Sequence, residues 1–242
     1  NIVSLVNAGE KISKVGKLSE LELNNEITIL SESGSLDVKE EILIQQLVSS
    51  GLAYDEVGFE KAFSNSILSF GLLEAYQRVF YPMLIKIGLL WIISELTEAQ
   101  EHFVTSLLKQ KILTAIDGLK QTPDYLETWL LFLPENEIHD IGLLIAHYGL
   151  KKKGAKVIYL GKDVSVEDLH IVFDEVKPTH ILTFAVRYNQ EAIISRYLLE
   201  FKASFNDPEL YLCCSPSFAS DLNLSYNQKT ILDFDSFLKI VE

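Results

Sequence analysis

Apolar side chains recur at three- and four-residue intervals from Asp37 to about Leu119, the spacing of one face of a helix. Four segments separate: Asp37–Ser49, Tyr54–Ser66, Ile67–Ile93 and Glu98–Ile116. Pro82 should kink or divide the third, because proline lacks the amide donor and crowds the preceding turn. In the fourth, Ala99, Phe103, Leu107, Leu108, Ile112 and Ala115 keep helical spacing behind Thr97, which has the chemistry of an N-cap. Upstream, residues 1–30 read as two short helices and Ser31–Leu36 as a polar turn or linker around Gly34. Four amphipathic helices with short connections predict a bundle.

Past the polar stretch Lys120–Asp124 the period changes. A short apolar run, Trp129–Leu133, precedes a helix over Ile138–Lys152 and a β-rich strand over Lys156–Leu160. Helix Val166–Val176, strand His180–Phe184, helix Glu191–Phe201 and strand Glu209–Cys213 follow, and Phe234–Val241 closes as a short helix. Short strands alternating with longer helices predict βαβ units and a parallel sheet. Two domains joined near residue 121 are expected.

Composition narrows the function classes. With 48% apolar residues and a mean hydropathy of +0.17, the 242-residue chain can bury two cores. A net charge of -13 argues against gripping a phosphate backbone unaided. Lys151-Lys152-Lys153 before Gly154 reads as a helix C-terminus answering the macrodipole, with anion binding as the other reading. The longest apolar run, Met83–Ile93, contains Lys86 and is too short to span a bilayer, so no membrane partner is expected. The neighbouring Cys213 and Cys214, without a secretory signal, point to a reducing cytoplasm. Because residue 1 is Asn rather than Met, a fragment or processed product is expected.

Two constellations carry candidate chemistry. Glu137-Ile138-His139-Asp140-Ile141-Gly142 follows the first strand, where open α/β sheets bind ligands. A carboxylate two residues before an imidazole can fix its tautomer and raise its basicity, as around metal ligands, and Gly142 lets backbone or ligand approach closely. The same residues also read as a helix-start histidine with solvated neighbours. Trp91 and the pair Glu101-His102 lie at the end of one helix and the start of the next, where an antiparallel turn can bring them onto one surface. Alternatively, Trp91 is core. His147, His170 and His180 read as packing or surface groups, and Gly161-Lys162-Asp163 as a strand-end turn or a crevice lining. No nucleophile elbow, phosphate loop or zinc spacing occurs, so no enzyme is expected.

Taken together these segments resemble cobalamin-binding regulators of the MerR superfamily. Trp91, Glu101 and His102 match a W-x9-E-H signature whose residues meet the upper axial ligand of the corrin. Glu137, His139 and Gly142 resemble the D-x-H-x-x-G motif, with Glu for Asp. The resemblance implies His139 as the lower cobalt ligand, Glu137 orienting it and Gly142 clearing space. At the family's S-x-L position stands Thr183-Phe184-Ala185, so Thr183 keeps the hydroxyl that bonds the nucleotide base. Cys213-Cys214 replaces the Gly-Gly pair that lets backbone pass close to the nucleotide tail, a departure that opposes cobalamin binding. Leu5-Val6, Gly9, Ile12, Val15, Leu18-Ser19 and Glu22-Leu23 resemble the closing helices of the MerR-type winged helix domain. Light-responding members carry a histidine right after the motif tryptophan; Ile92 here implies no bis-histidine light switch.

The resemblance therefore implies a fold of α/β plus all-α class: a four-helix bundle followed by a Rossmann-like (flavodoxin-like) parallel α/β domain of cobalamin-binding type. Residues 1–30 would be the remnant of a DNA-binding domain, 31–121 the bundle and 122–242 the α/β domain. The implied function is the effector region of a bacterial, cytoplasmic transcription regulator. It would bind adenosyl- or methylcobalamin between bundle and α/β domain to control homo-oligomerisation, as dimer or tetramer, and promoter binding. A ligand-free oligomerisation module of the same fold, or a corrinoid protein of a methyltransferase system, are the alternatives.

Overall fold

A computed structural model describes residues 36–120, 125–186, 191–204, 208–220 and 222–241. The sequence readings for residues 1–30 lie outside these. The chain forms two compact units, Asn1–Leu108 and Lys109–Glu242.

In the first unit, α1 (Leu36–Leu52) and α2 (Glu56–Ala75) turn on Asp55, whose side chain accepts the Gly58 N–H at 3.0 Å. The expected break after Ser66 is absent: Ser66 is buried inside α2, its hydroxyl bonded to the Ala62 carbonyl at 2.8 Å. The helix kinks instead at Gly71 (φ 73, ψ 171) and passes into a π-helical turn, Tyr76–Phe80, before α3 (Tyr81–Ile92). Pro82 explains the turn. It cannot donate to the Arg78 carbonyl, and the Tyr81 N–H reaches back five residues to Tyr76. Tyr76–Phe80 also sets Phe80 flat on Phe63, with centroids 4.8 Å apart.

Helix α4 (Glu98–Asp117) begins with a reciprocal cap. The Thr97 hydroxyl accepts the Gln100 N–H at 3.3 Å, and the Gln100 side chain accepts the Thr97 N–H at 2.9 Å. Gln100 also donates to the Leu52 carbonyl at 2.8 Å, and Phe103 meets Tyr54 edge-on at 5.3 Å. These contacts pin the first turns of α4 to the α1–α2 corner. Close approach there needs Gly51, because a Cβ at that position would collide with a methyl of Val104.

The second unit is a five-stranded parallel sheet among the described residues, ordered β2-β1-β3-β4-β5: β1 (Thr128–Pro134), β2 (Lys156–Val164), β3 (His180–Ala185), β4 (Glu209–Cys214) and β5 (Gln228–Ile231). Its helices are α5 (Ile141–Lys152), α6 (Val166–Val176), α7 (Glu191–Ser204), the single turn α8 (Pro216–Ala219) and α9 (Phe234–Val241). Strands β1 and β3 are apolar almost throughout because helices cover both faces. One face carries Leu130, Phe132, Ile181, Leu210 and Leu212 against Leu169 and Phe173 of α6 and Ile194, Tyr197 and Phe201 of α7. The other is covered by α5 and α9.

Three sequence readings change. The helix expected from Ile138 starts at Ile141, leaving Glu137–Asp140 as loop. Strand β2 runs past Leu160 to Val164 through shifted register and positive φ at Gly161 and Asp163, so that segment is a bulged strand rather than a turn. Strand β5 and helix α8 were not anticipated, being too short for a periodic signal. Lys151–Lys153 does end α5, as expected. His147 of α5 packs its ring on Tyr159 of β2, centroids 5.1 Å apart.

Gly51→Ala is expected to lower the stability of the helical unit by about 1–3 kcal/mol. Adding Val104→Ala should recover much of that loss in urea titrations, a coupling that distant sites would not show. Burial, with a smaller contribution from Lys151, holds His147 below its ordinary value of 6.5, at about 4. The unfolded chain therefore binds more protons in that window, and stability falls as pH is lowered from about 6.5 to about 4. His147→Phe should flatten that part of the stability-versus-pH curve.

Candidate functional site

In a parallel sheet of this order, the connections leaving β1 and β3 run to opposite faces, so a crevice opens between their carboxyl ends. Glu137 sits at that point with a fully buried side chain. Its Oε1 accepts the backbone N–H groups of Ile138 (2.8 Å) and His139 (2.9 Å) and lies 2.6 Å from His139 Nδ1. Its Oε2 accepts the Val186 N–H at 3.0 Å, just past the end of β3. One carboxylate thus ties the β1–α5 loop to β3. Asp163, on the β2 bulge, supports the same loop by accepting the Asn136 N–H at 2.9 Å.

The arrangement settles what the histidine offers. Facing an acceptor-only carboxylate, Nδ1 donates, which leaves Nε2 as the ring nitrogen not engaged by Glu137. The His139 side chain is 54% exposed, so Nε2 is presented outward. Two of the sequence-picked residues, Glu137 and His139, are therefore brought together as a hydrogen-bonded pair.

Gly142 and Thr183 are placed differently. A Cβ on Gly142 would lie 2.9 Å from the ring of Phe184, so the space that glycine leaves open is taken by this chain's own side chain. Thr183 alternates with Ile181 and Ala185 and lies on the α6/α7 face, away from Gly142. Its hydroxyl is buried and has no hydrogen-bond partner among the described residues. Phe184, one position along, is the residue that meets α5. Cys213 is its register partner on β4, and Cys214 faces the opposite side with the α6/α7 core. Adjacent strand residues point to opposite faces, so the two free thiols do not bridge. Burial pushes Cys213 well above the ordinary thiol range and Cys214 up to about 11, leaving both protonated and poor metal ligands.

The remaining candidates belong to the helical unit. Trp91, near the end of α3, is 54% exposed rather than core. On α4, His102 Nδ1 lies 2.6 Å from Glu101 and Nε2 3.4 Å from Glu98, so both ring nitrogens face carboxylates. Elsewhere His170 pairs with Glu200 at 2.8 Å and His180 stacks on Trp129 at 4.5 Å, as packing and surface groups.

Residues 24–114 match the family profile described as B12 binding domain. Among curated proteins, the chain is 27% identical over 168 residues to the HTH-type transcriptional repressor CarH of Myxococcus xanthus, covering 68% of this chain and 56% of that protein. It is 31% identical over 116 residues to the HTH-type transcriptional repressor CarA of the same organism, covering 48% and 38%. Residues 24–114 are thus similar to a B12 binding domain, and the chain is similar in sequence to these two HTH-type repressors. It spans about half the length, or less, of the curated relatives it matches. The profile match falls on the helical part, α1 to most of α4, and leaves the α/β unit outside it. For the fold, the monomethylamine corrinoid protein of Methanosarcina barkeri superposes with a TM-score of 0.63 at 14% identity, covering 82% of this chain and 94% of that one. No described helix is long and apolar enough to cross a membrane.

For a corrinoid, the donor set fits in one respect and not in another. A carboxylate-held imidazole with a free, outward Nε2 suits a cobalt ligand. The interior behind Gly142 is filled by Phe184. Glu137→Ala should leave three partly buried N–H groups without their acceptor and lower the stability of the α/β unit by about 1–3 kcal/mol, measured by denaturant unfolding.

Proposed function

We propose that the chain is the corrinoid-sensing effector region of a bacterial MerR-type transcription regulator. The observation that carries this reading is the buried Glu137 holding His139 Nδ1 at 2.6 Å and turning Nε2 outward at the switch point of the sheet. Homology to two HTH-type repressors and the B12 binding domain match supply the context. A bound corrinoid would supply a cobalt centre. His139 would hold it through Nε2 with Glu137 fixing the orientation of that side chain, and the family resemblance gives Trp91, Glu101 and His102 as further residues that would contact the ligand.

Regulation then requires that two assembly states of the chain differ in affinity for the ligand, since a ligand shifts an equilibrium only by its differential affinity. Self-association is the response we propose, with promoter DNA contacted through a winged-helix module whose closing helices residues 1–30 resemble. The net charge of -13 fits a region that senses and assembles rather than one that grips DNA itself. The side chains behind Gly142 favour a second reading, a ligand-free assembly module of the same fold.

Gel filtration of the full chain in the dark, after incubation separately with methylcobalamin and with aquacobinamide, separates the two. Retained corrin absorbance together with a shifted elution volume supports the sensor. His139→Ala is expected to abolish the retention while leaving the far-ultraviolet circular dichroism unchanged. An unshifted profile without corrin absorbance would sink the sensor and leave the assembly module.

A further inference from the structure

We propose that the α/β unit selects an incomplete corrinoid, one without its nucleotide tail, over complete cobalamin, and that Phe184 is the residue that excludes the tail. The inference rests on the corrinoid reading of His139 and adds the class of ligand.

A complete cobalamin carries its nucleotide on a linker from the lower side of the ring. When a protein imidazole takes the lower position, the displaced base stays covalently attached and must lodge on the imidazole's side, against the α/β unit. Two interiors lie beyond the loops at the switch point, one on each face of the sheet. On the α6/α7 face, the Tyr197 hydroxyl donates to the Val164 carbonyl and accepts the Glu135 N–H at 3.2 Å. Arg196 adds ion pairs to Glu135 at 3.1 Å and Glu167 at 2.7 Å. That side is stapled shut from three elements, and the Thr183 hydroxyl is sealed in behind it.

The α5/α9 face is closed by packing. Phe184, Cys213 and Ile231 are register neighbours on β3, β4 and β5 and form one row on that face. Phe237 of α9 meets Phe184 edge-on with centroids 6.3 Å apart, and Phe237, Cys213 and Ile231 are all buried. Further along, α5 and α9 touch so closely that a Cβ on Gly149 would lie 2.7 Å from Val241. At the outer end of the row the half-buried Phe184 ring covers Gly142, within the turn that follows His139. Residues smaller than phenylalanine and cysteine at these two positions would leave a slot continuous with the β1–α5 loop; here the slot is occupied. A ring without a tail needs none of this space, because Nε2 already points outward.

Titration of the full chain with aquacobinamide and with hydroxocobalamin, followed by the corrin absorption bands in the dark, tests the proposal. Aquacobinamide should bind about tenfold or more tightly than hydroxocobalamin, the scale expected when a group is forced into a filled core. Phe184→Ala should bring the two affinities to within about threefold by strengthening cobalamin binding, with Phe184→Leu intermediate and less exposed to folding loss. Equal or tighter binding of cobalamin by the unmutated chain overturns the selectivity while leaving the corrinoid reading standing. Unchanged cobalamin affinity in both folded variants overturns the role of Phe184. Spectra unmoved by either corrinoid overturn the corrinoid reading, and the selectivity with it.

Discussion

The Glu137 carboxylate is the point on which the second unit's chemistry turns. A charge wholly removed from water is tolerable only when its lone pairs are all engaged, and here three backbone N–H groups and an imidazole engage them. Because those donors come from two non-consecutive segments, the same atoms that orient His139 also fix the separation of the loops after β1 and β3. Substituting Glu for the Asp of the resembling motif lengthens the side chain by one methylene. That reach is what lets Oε2 extend to Val186 while Oε1 holds the histidine.

The matched profile falls mostly on the helical unit and leaves most of the α/β unit outside it. The helical unit contains most of the matched profile and keeps its Trp91 exposed, an expensive disposition for an indole with no role at the surface. The α/β unit keeps the histidine and its carboxylate but fills the adjoining interior with Phe184 and Cys213. The histidine–carboxylate pair beside that filled interior is what the proposed preference for a ring without its tail rests on.

Most of the architecture was legible because period is a strong signal. The α/β alternation, the division of the helix ahead of Pro82, the Thr97 cap and the Lys151–Lys153 helix end all follow from local chemistry. What period could not resolve was which of two apolar faces a strand residue joins. In His180–Ala185 both faces are covered, so nothing in the polarity of the segment marked Thr183 as pointing to α6 and α7 and Phe184 to α5. The Glu137 to His139 pairing was readable from two-residue spacing. Its partner at Val186 was not, since it depends on a contact across 49 residues of chain. The later start of α5 has a local cause: Ile138 looks helical, but its N–H is claimed by the side chain of the preceding Glu137.

The adjacent cysteines carry a further consequence. Being neighbours in one strand, they sample the two sides of the sheet independently, Cys213 behind Phe184 and Cys214 toward α6 and α7. Buried, protonated thiols react with alkylating reagents only when their surroundings open. The chain therefore holds two intrinsic reporters whose labelling rates time the breathing of each side separately, with no foreign probe introduced.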